Sequence, residues 1–197
     1  YLFYIYPEKY YPLDYETYFK SPDRFVMVTS NCLTGQAEYY EEKHDPKRLV
    51  DICCASCTLP VLCPVAYVDG IPMVDGGVCD AIPIRRAIED GYPKNVVILT
   101  RNKGYRKKEK DFWLPGFIYR QYPAIREQLK LRYRRYNEVL DYIDELEARG
   151  DALVVRPEKK IEVGRTDRNP EKLAALYDEG YRLAQQFICI PGRLPGI

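Results

Sequence analysis

At 197 residues, with 46% hydrophobic and 30% charged side chains, the chain has apolar material for one substantial core, or a core with a small appendage. Its 30 basic and 29 acidic residues leave a formal charge of +1, which removes any global electrostatic case for nucleic acid as a partner. No apolar run is long enough to span a bilayer and no secretory leader opens the sequence, so a cytoplasmic location is expected.

The sequence does not begin with methionine. Tyr1-Leu2-Phe3-Tyr4-Ile5-Tyr6 reads like the interior of a domain, and a fragment or cleavage product is expected. To about Pro22 the chain is aromatic and punctuated by proline, without a clear period. Phe25 to Thr29 reads as a short buried strand, Asn31 to Gly35 as a turn, and Gln36 to Glu41 as a returning strand of a hairpin. Asp45-Pro46 is a helix start, with the acid as N-cap and proline at the first position. That helix is expected to run through Leu49, Ile52 and Cys53 until Pro60 stops it.

Tyr67-Val68 and Met73-Val74 flank Asp69-Gly70, a favourable pair for a tight hairpin. Ile82 to Ile88 reads as a helix closed by Gly91. The aliphatic run Asn95-Val96-Val97-Ile98-Leu99-Thr100 fits a strand buried on both faces, as in a parallel sheet. After a basic loop from Arg101 to Lys110, apolar residues recur at helical spacing from Tyr122 through Ile125, Leu129, Tyr133 and Tyr136 to Leu146. This predicts a long helix from near Pro123 to Arg149, ended by Gly150. Ala152 to Val155 is a short strand, and Asn169-Pro170 opens a last helix to about Phe187.

The 7 cysteines are odd in number, and Cys53, Cys54, Cys57 and Cys63 lie close together. Cys54 and Cys57 form a C-x-x-C, but a zinc site needs a second pair or histidines at ligand spacing, and His44 is the single histidine. The cysteines therefore read as small buried thiols in a reducing compartment, and neither metal nor organic cofactor is implied. The basic residues from Arg120 to Arg135 read either as a solvated helix face or as a peripheral contact with anionic membrane.

The strand Ile71 to Asp75 ends in Asp75-Gly76-Gly77. Two glycines behind a strand-end carboxylate free the backbone to turn sharply. Such a place suits an acid that orients or activates a catalytic group, and it equally suits a plain structural turn.

The wider order of motifs adds to this. Ala55-Ser56-Cys57-Thr58-Leu59-Pro60 precedes Val74-Asp75-Gly76-Gly77-Val78-Cys79-Asp80-Ala81-Ile82-Pro83, and Val97-Ile98-Leu99-Thr100 follows. Together with Pro12 to Tyr18, Val28 to Gly35 and the tail from Arg132 to Gly180, this closely resembles the patatin-like phospholipases, in particular the bacterial subgroup with a helical C-terminal extension. The resemblance implies an α/β fold: residues 1–115 would be the C-terminal part of a three-layer α/β/α hydrolase domain, and residues 116–197 a helical extension with one short strand. It also implies a serine–aspartate dyad acting on lipid acyl esters, with Asp75 as the catalytic acid and a glycine-rich loop as oxyanion hole.

The departure from the family is equally plain. No G-x-S-x-G elbow and no glycine-rich oxyanion loop occurs in these 197 residues. Ser56 has no glycine neighbours and lies at a helix end, while Cys79 is not on an elbow. A carboxylate without its serine has nothing to activate, so this chain alone is expected to be inactive and its parent to be the hydrolase. The alternative is a non-catalytic interaction module that homodimerises through an exposed, incomplete core.

Overall fold

The computed structural model describes residues 5–109, 117–164 and 167–188. The chain has a mixed α/β architecture with a long helical segment late in the sequence. The boundary expected at 115/116 falls outside the described residues. Two compact units fall within Tyr1–Ile82 plus Lys108–Tyr136 and within Pro83–Lys107 plus Asn137–Ile197.

The first unit opens with two helices, α1 (Tyr6–Tyr10) and α2 (Tyr15–Lys20), where the sequence suggested no regular structure. The cause of α2 is a local cap: Asp14 accepts hydrogen bonds from the Thr17 amide at 3.0 Å and the Thr17 hydroxyl at 2.7 Å. The hairpin β1 (Met27–Asn31) and β2 (Ala37–Tyr40) forms as expected, pairing antiparallel from Met27 with Tyr40 to Ser30 with Ala37. Its loop is closed by Asn31, whose side-chain oxygen accepts from Leu33 and Thr34, and by Gly35 at φ +67°.

Helix α3 (Pro46–Ser56) carries the expected start, with Asp45 accepting from the amides of Lys47 and Arg48. It stops four residues before Pro60. Instead of proline, the Thr58 hydroxyl ends it by donating to the Cys54 carbonyl at 2.8 Å, while the Cys57 amide doubles back on Cys53 and Cys54. β3 (Ala66–Val68) and β4 (Ile71–Asp75) meet across Asp69 at φ 52° and Gly70 at φ 79°, the paired positive values of a type I′ turn.

The sheet order is β2-β1-β4-β3, which makes β1 and β4 the central pair. β4 tolerates Pro72 because its pairing with β1 finishes there. The Cys32 amide donates to the Pro72 carbonyl at 2.9 Å, and proline has no N–H to return. One side of the sheet buries Met27, Leu49, Ile52, Ala55, Val68 and Met73 together. A second cluster joins Cys32, Val74 and Val78 to Tyr122, Ile125 and Leu129. Each fully buried aliphatic side chain there contributes about 1.5–3 kcal/mol of transfer free energy.

The second unit contains α4 (Ile84–Glu89), β5 (Asn95–Ile98) and β6 (Ala152–Val155). β5 and β6 pair in parallel, from Asn95 with Ala152 to Ile98 with Val155. The expectation that β5 is buried on both faces does not hold. Val97 and Leu99 are buried, whereas Val96 is 49% and Ile98 76% exposed. The reason is that β5 and β6 form a two-stranded sheet, so only alternate side chains of β5 point into a core.

Helix α5 (Pro123–Arg149) runs between the expected limits and is closed by Gly150 at φ +74°. Its residues up to Tyr136 fall in the first unit and those from Asn137 in the second. Helix α6 (Pro170–Ile188) is capped by Asn169, which accepts from Glu171 and Lys172. It lines, with the outer face of β5 and β6, an apolar cavity of about 220 Å³ that includes Ile98, Val155, Leu176 and Leu183. No helix among the described residues is long and apolar enough to cross a membrane.

Candidate active site

Asp75 stands where the sequence put it, as the last residue of β4 and opposite Thr29 in the register with β1. Its main chain and one carboxylate oxygen are tied. Its amide donates to the Thr58 carbonyl at 2.9 Å. Its carbonyl accepts from the Ser30 hydroxyl at 2.9 Å. Its Oδ1 accepts from the Gly77 amide at 2.7 Å, which caps the single 3₁₀ turn Gly76–Val78. The residue is half-buried.

The two glycines have different reasons. A Cβ on Gly76 would lie 2.3 Å from the Val28 carbonyl oxygen, so the main chains of β1 and the turn approach too closely for any side chain. A Cβ on Gly77 would instead stand 2.9 Å from Asp75 Oδ1 and 3.4 Å from Arg132 Nη2. Gly77 is therefore flanked by the acid and by a guanidinium, and Arg132 Nε donates to its carbonyl at 2.7 Å.

Ser30 is completely buried and is not a nucleophile in this arrangement. Its hydroxyl donates toward the carbonyls of Asp75 and Gly76 and accepts from the Cys79 amide at 3.1 Å. Cys79 is itself held: its thiol donates to the Gly35 carbonyl at 3.3 Å, and burial pushes its pKa up, against the opposing influence of the Ser30 hydroxyl and Arg135. Asp80, next in the chain, accepts from the Tyr39 hydroxyl at 2.7 Å.

Ser56 is the last residue of α3, as the sequence indicated. His44 lies just ahead of that helix, where its amide donates to Glu42. The cysteines depart from the expectation of a uniformly buried set. Cys32 is fully buried, and burial drives its thiol up to about 12, but Cys57 and Cys63 are exposed. The helix end at Cys57 is responsible, since it turns that residue out of the packed face. The Cys57 thiol is raised by partial burial and then by the negative charge of Asp75. Among the described residues, no group of three or more His, Cys, Asp or Glu side chains is arranged to hold a metal ion.

Sequence reasoning missed Ser30, Thr58 and Arg132 as partners of the Asp75 turn. None carries a local signal, because each reaches the turn from a distant part of the chain.

Two family models match the chain. Residues 17–88, which contain β1 to β4 and the Asp75 turn, match the patatin-like phospholipase model. This part of the chain is similar to that family, and Asp75 lies inside the matched segment. Residues 122–189, from the start of α5 through α6, match a domain of unknown function, DUF6363. Comparison with curated proteins gave no match.

Proposed function

We propose that the chain is the aspartate-bearing portion of a serine–aspartate dyad lipid acyl hydrolase, with Asp75 as the catalytic aspartate that serves as general base. The observation that carries this reading is the fixed carboxylate of Asp75 at the end of β4, inside the patatin-like match. In such a dyad the aspartate takes the proton of a serine hydroxyl directly. The serine oxygen bonds to the acyl carbon as the ester C–O bond breaks, and the departing alcohol takes the proton held by the aspartate. Water then adds to the acyl carbon, the bond to serine breaks, and the acid leaves as serine regains its proton. A carboxylate held by one amide through Oδ1 is preorganised for that proton transfer.

The serine and the oxyanion loop would come from a segment outside these 197 residues, and the protein would act in the cytoplasm. The hydrolase part would be residues 1–115 and the helical extension residues 116–197. The two matched segments, 17–88 and 122–189, lie on either side of that boundary and support the division. Peripheral attraction of anionic membrane to the basic side of α5 belongs to the same reading, although Arg126, Lys130 and Arg132 already bond to Ile118, Glu127 and Gly77.

Turnover of a p-nitrophenyl ester tests the proposal. This chain alone should give none, and a longer polypeptide that adds a G-x-S-x-G segment should be active. In that polypeptide Asp75→Asn should lower kcat by about 10²-fold or more. An Asp75→Asn enzyme with unchanged turnover overturns the assignment.

One observation favours a second reading, an interaction module that pairs with a copy of itself. The outer face of β5 leaves Ile98 76% exposed over an apolar cavity. Size-exclusion chromatography with light scattering should then show a dimer that Ile98→Asp converts to monomer. A monomeric parent chain removes this reading.

A further inference from the structure

A hydrogen bond joins the two matched segments at the Asp75 turn. Arg132 belongs to the 122–189 match, and its Nε reaches the carbonyl of Gly77 in the patatin-like match at 2.7 Å. Gly77 donates in turn to Asp75 Oδ1 at 2.7 Å. We propose that Arg132 is a positioning residue for Asp75, and that holding this turn is one role of the helix that opens the DUF6363 segment. The inference rests on the hydrolase reading of Asp75.

The physical need is clear from the turn itself. Gly76-Gly77 is the most flexible dipeptide a chain can contain, and a three-residue 3₁₀ turn has little internal bonding to restrain it. Gly76 is fixed from the chain's own side, because its carbonyl accepts from the amides of Cys79 and Asp80 and its α-carbon abuts Val28. The peptide on the far side of Gly77 is fixed by the guanidinium. The Gly77 amide belongs to the adjoining peptide, so Arg132 acts on it through the shared Gly77 α-carbon: with the outer peptide free, the turn loosens and the donor to Asp75 Oδ1 is less firmly held.

The helix delivers Arg132 by packing. Ile125 and Leu129 are buried against Val74, Val78 and Cys32, and Arg132 follows Leu129 by three residues on the same face. Arg135, one turn further, lies close enough to influence Cys79 at the other end of the turn. An arginine suits the task because its planar fork keeps its charge and orients its donors.

The test uses the complete hydrolase and this chain in parallel. In the hydrolase, Arg132→Gln should lower kcat by about tenfold or more while KM stays within about twofold, since the loss is of geometry around the acid. Arg132→Lys should recover part of kcat. In this chain, Arg132→Gln should speed hydrogen exchange of the Gly77 amide by about tenfold or more, with the amides of α3 unchanged. If Arg132→Gln fails to fold, Arg132→Lys and its Gly77 exchange rate decide.

If Asp75→Asn is inactive while Arg132→Gln keeps full kcat, the positioning role alone is overturned. An effect confined to KM also overturns it, because Arg132 would then be binding substrate. If Asp75→Asn is fully active, the hydrolase reading falls first, whatever Arg132 does.

Discussion

The hydroxyl of Ser30 donates to the main-chain carbonyl of Asp75 at 2.9 Å, so a buried side chain of β1 holds the end of β4. The same oxygen accepts from the Cys79 amide, which means one hydroxyl serves both ends of the glycine turn. Ser30→Ala removes all of these bonds, while the Cys79 amide keeps its bond to the Gly76 carbonyl at 3.1 Å. The expected loss is about 0.5–1.5 kcal/mol in a urea titration. A loss below about 0.5 kcal/mol would place the hydroxyl outside the ledger of stability, at the level of an ordinary surface substitution.

Glu42 supplies a pH dependence with a definite sign. It accepts from the Asp45 amide, from Arg48 and from the His44 amide, and these hydrogen bonds, aided by the Arg48 charge, lower its pKa from 4.5 to about 2. A depressed carboxyl contributes stability that is present above the unfolded value and lost as pH falls through the folded one. Stability should therefore decline between pH 4.5 and about 2, and Glu42→Gln should flatten that part of the profile. Urea titrations across the acid range check this. An unchanged slope in Glu42→Gln would assign the acid loss to other carboxylates.

Cys57 reports on Asp75 from outside the chemistry. The carboxylate raises the thiol's pKa, second to partial burial, so removing that charge must increase the thiolate fraction at neutral pH. Asp75→Asn should speed alkylation of Cys57 by iodoacetamide, by less than about tenfold, since one pKa unit is tenfold in thiolate. Cys32, buried and raised to about 12, should stay unlabelled in the folded chain. Peptide mass spectrometry gives both rates. Equal Cys57 rates in the two proteins would separate the thiol from the acid.

Features written in neighbouring residues were legible in the sequence. Asp45-Pro46, Asp69-Gly70, Gly150 and Asn169-Pro170 each set a boundary by chemistry within a few positions, and the structure has those boundaries. Helix α2 escaped because its signal is a cap between Asp14 and Thr17 and its apolar period is masked by tyrosines. Proline at position 60 is the conspicuous stop for α3 in the sequence, whereas the Thr58 side chain acts first. Position of the acid was legible from a strand followed by two glycines. Its supports were not, since Ser30 is 45 residues from Asp75 and Arg132 is 55 from Gly77. The burial of β5 was misjudged for a related reason: hydrophobic sequence shows what a strand can bury, and only its neighbours decide how many faces they cover.

At Gly76 the carbonyl of Val28 already fills the volume that any side chain would claim. Codon 76 is thus closed to drift in a way that codon 70, with open space around it, is not. A saturation library would record this as a column holding a single letter, and a descendant that shows another letter there has given up the seam beside the acid.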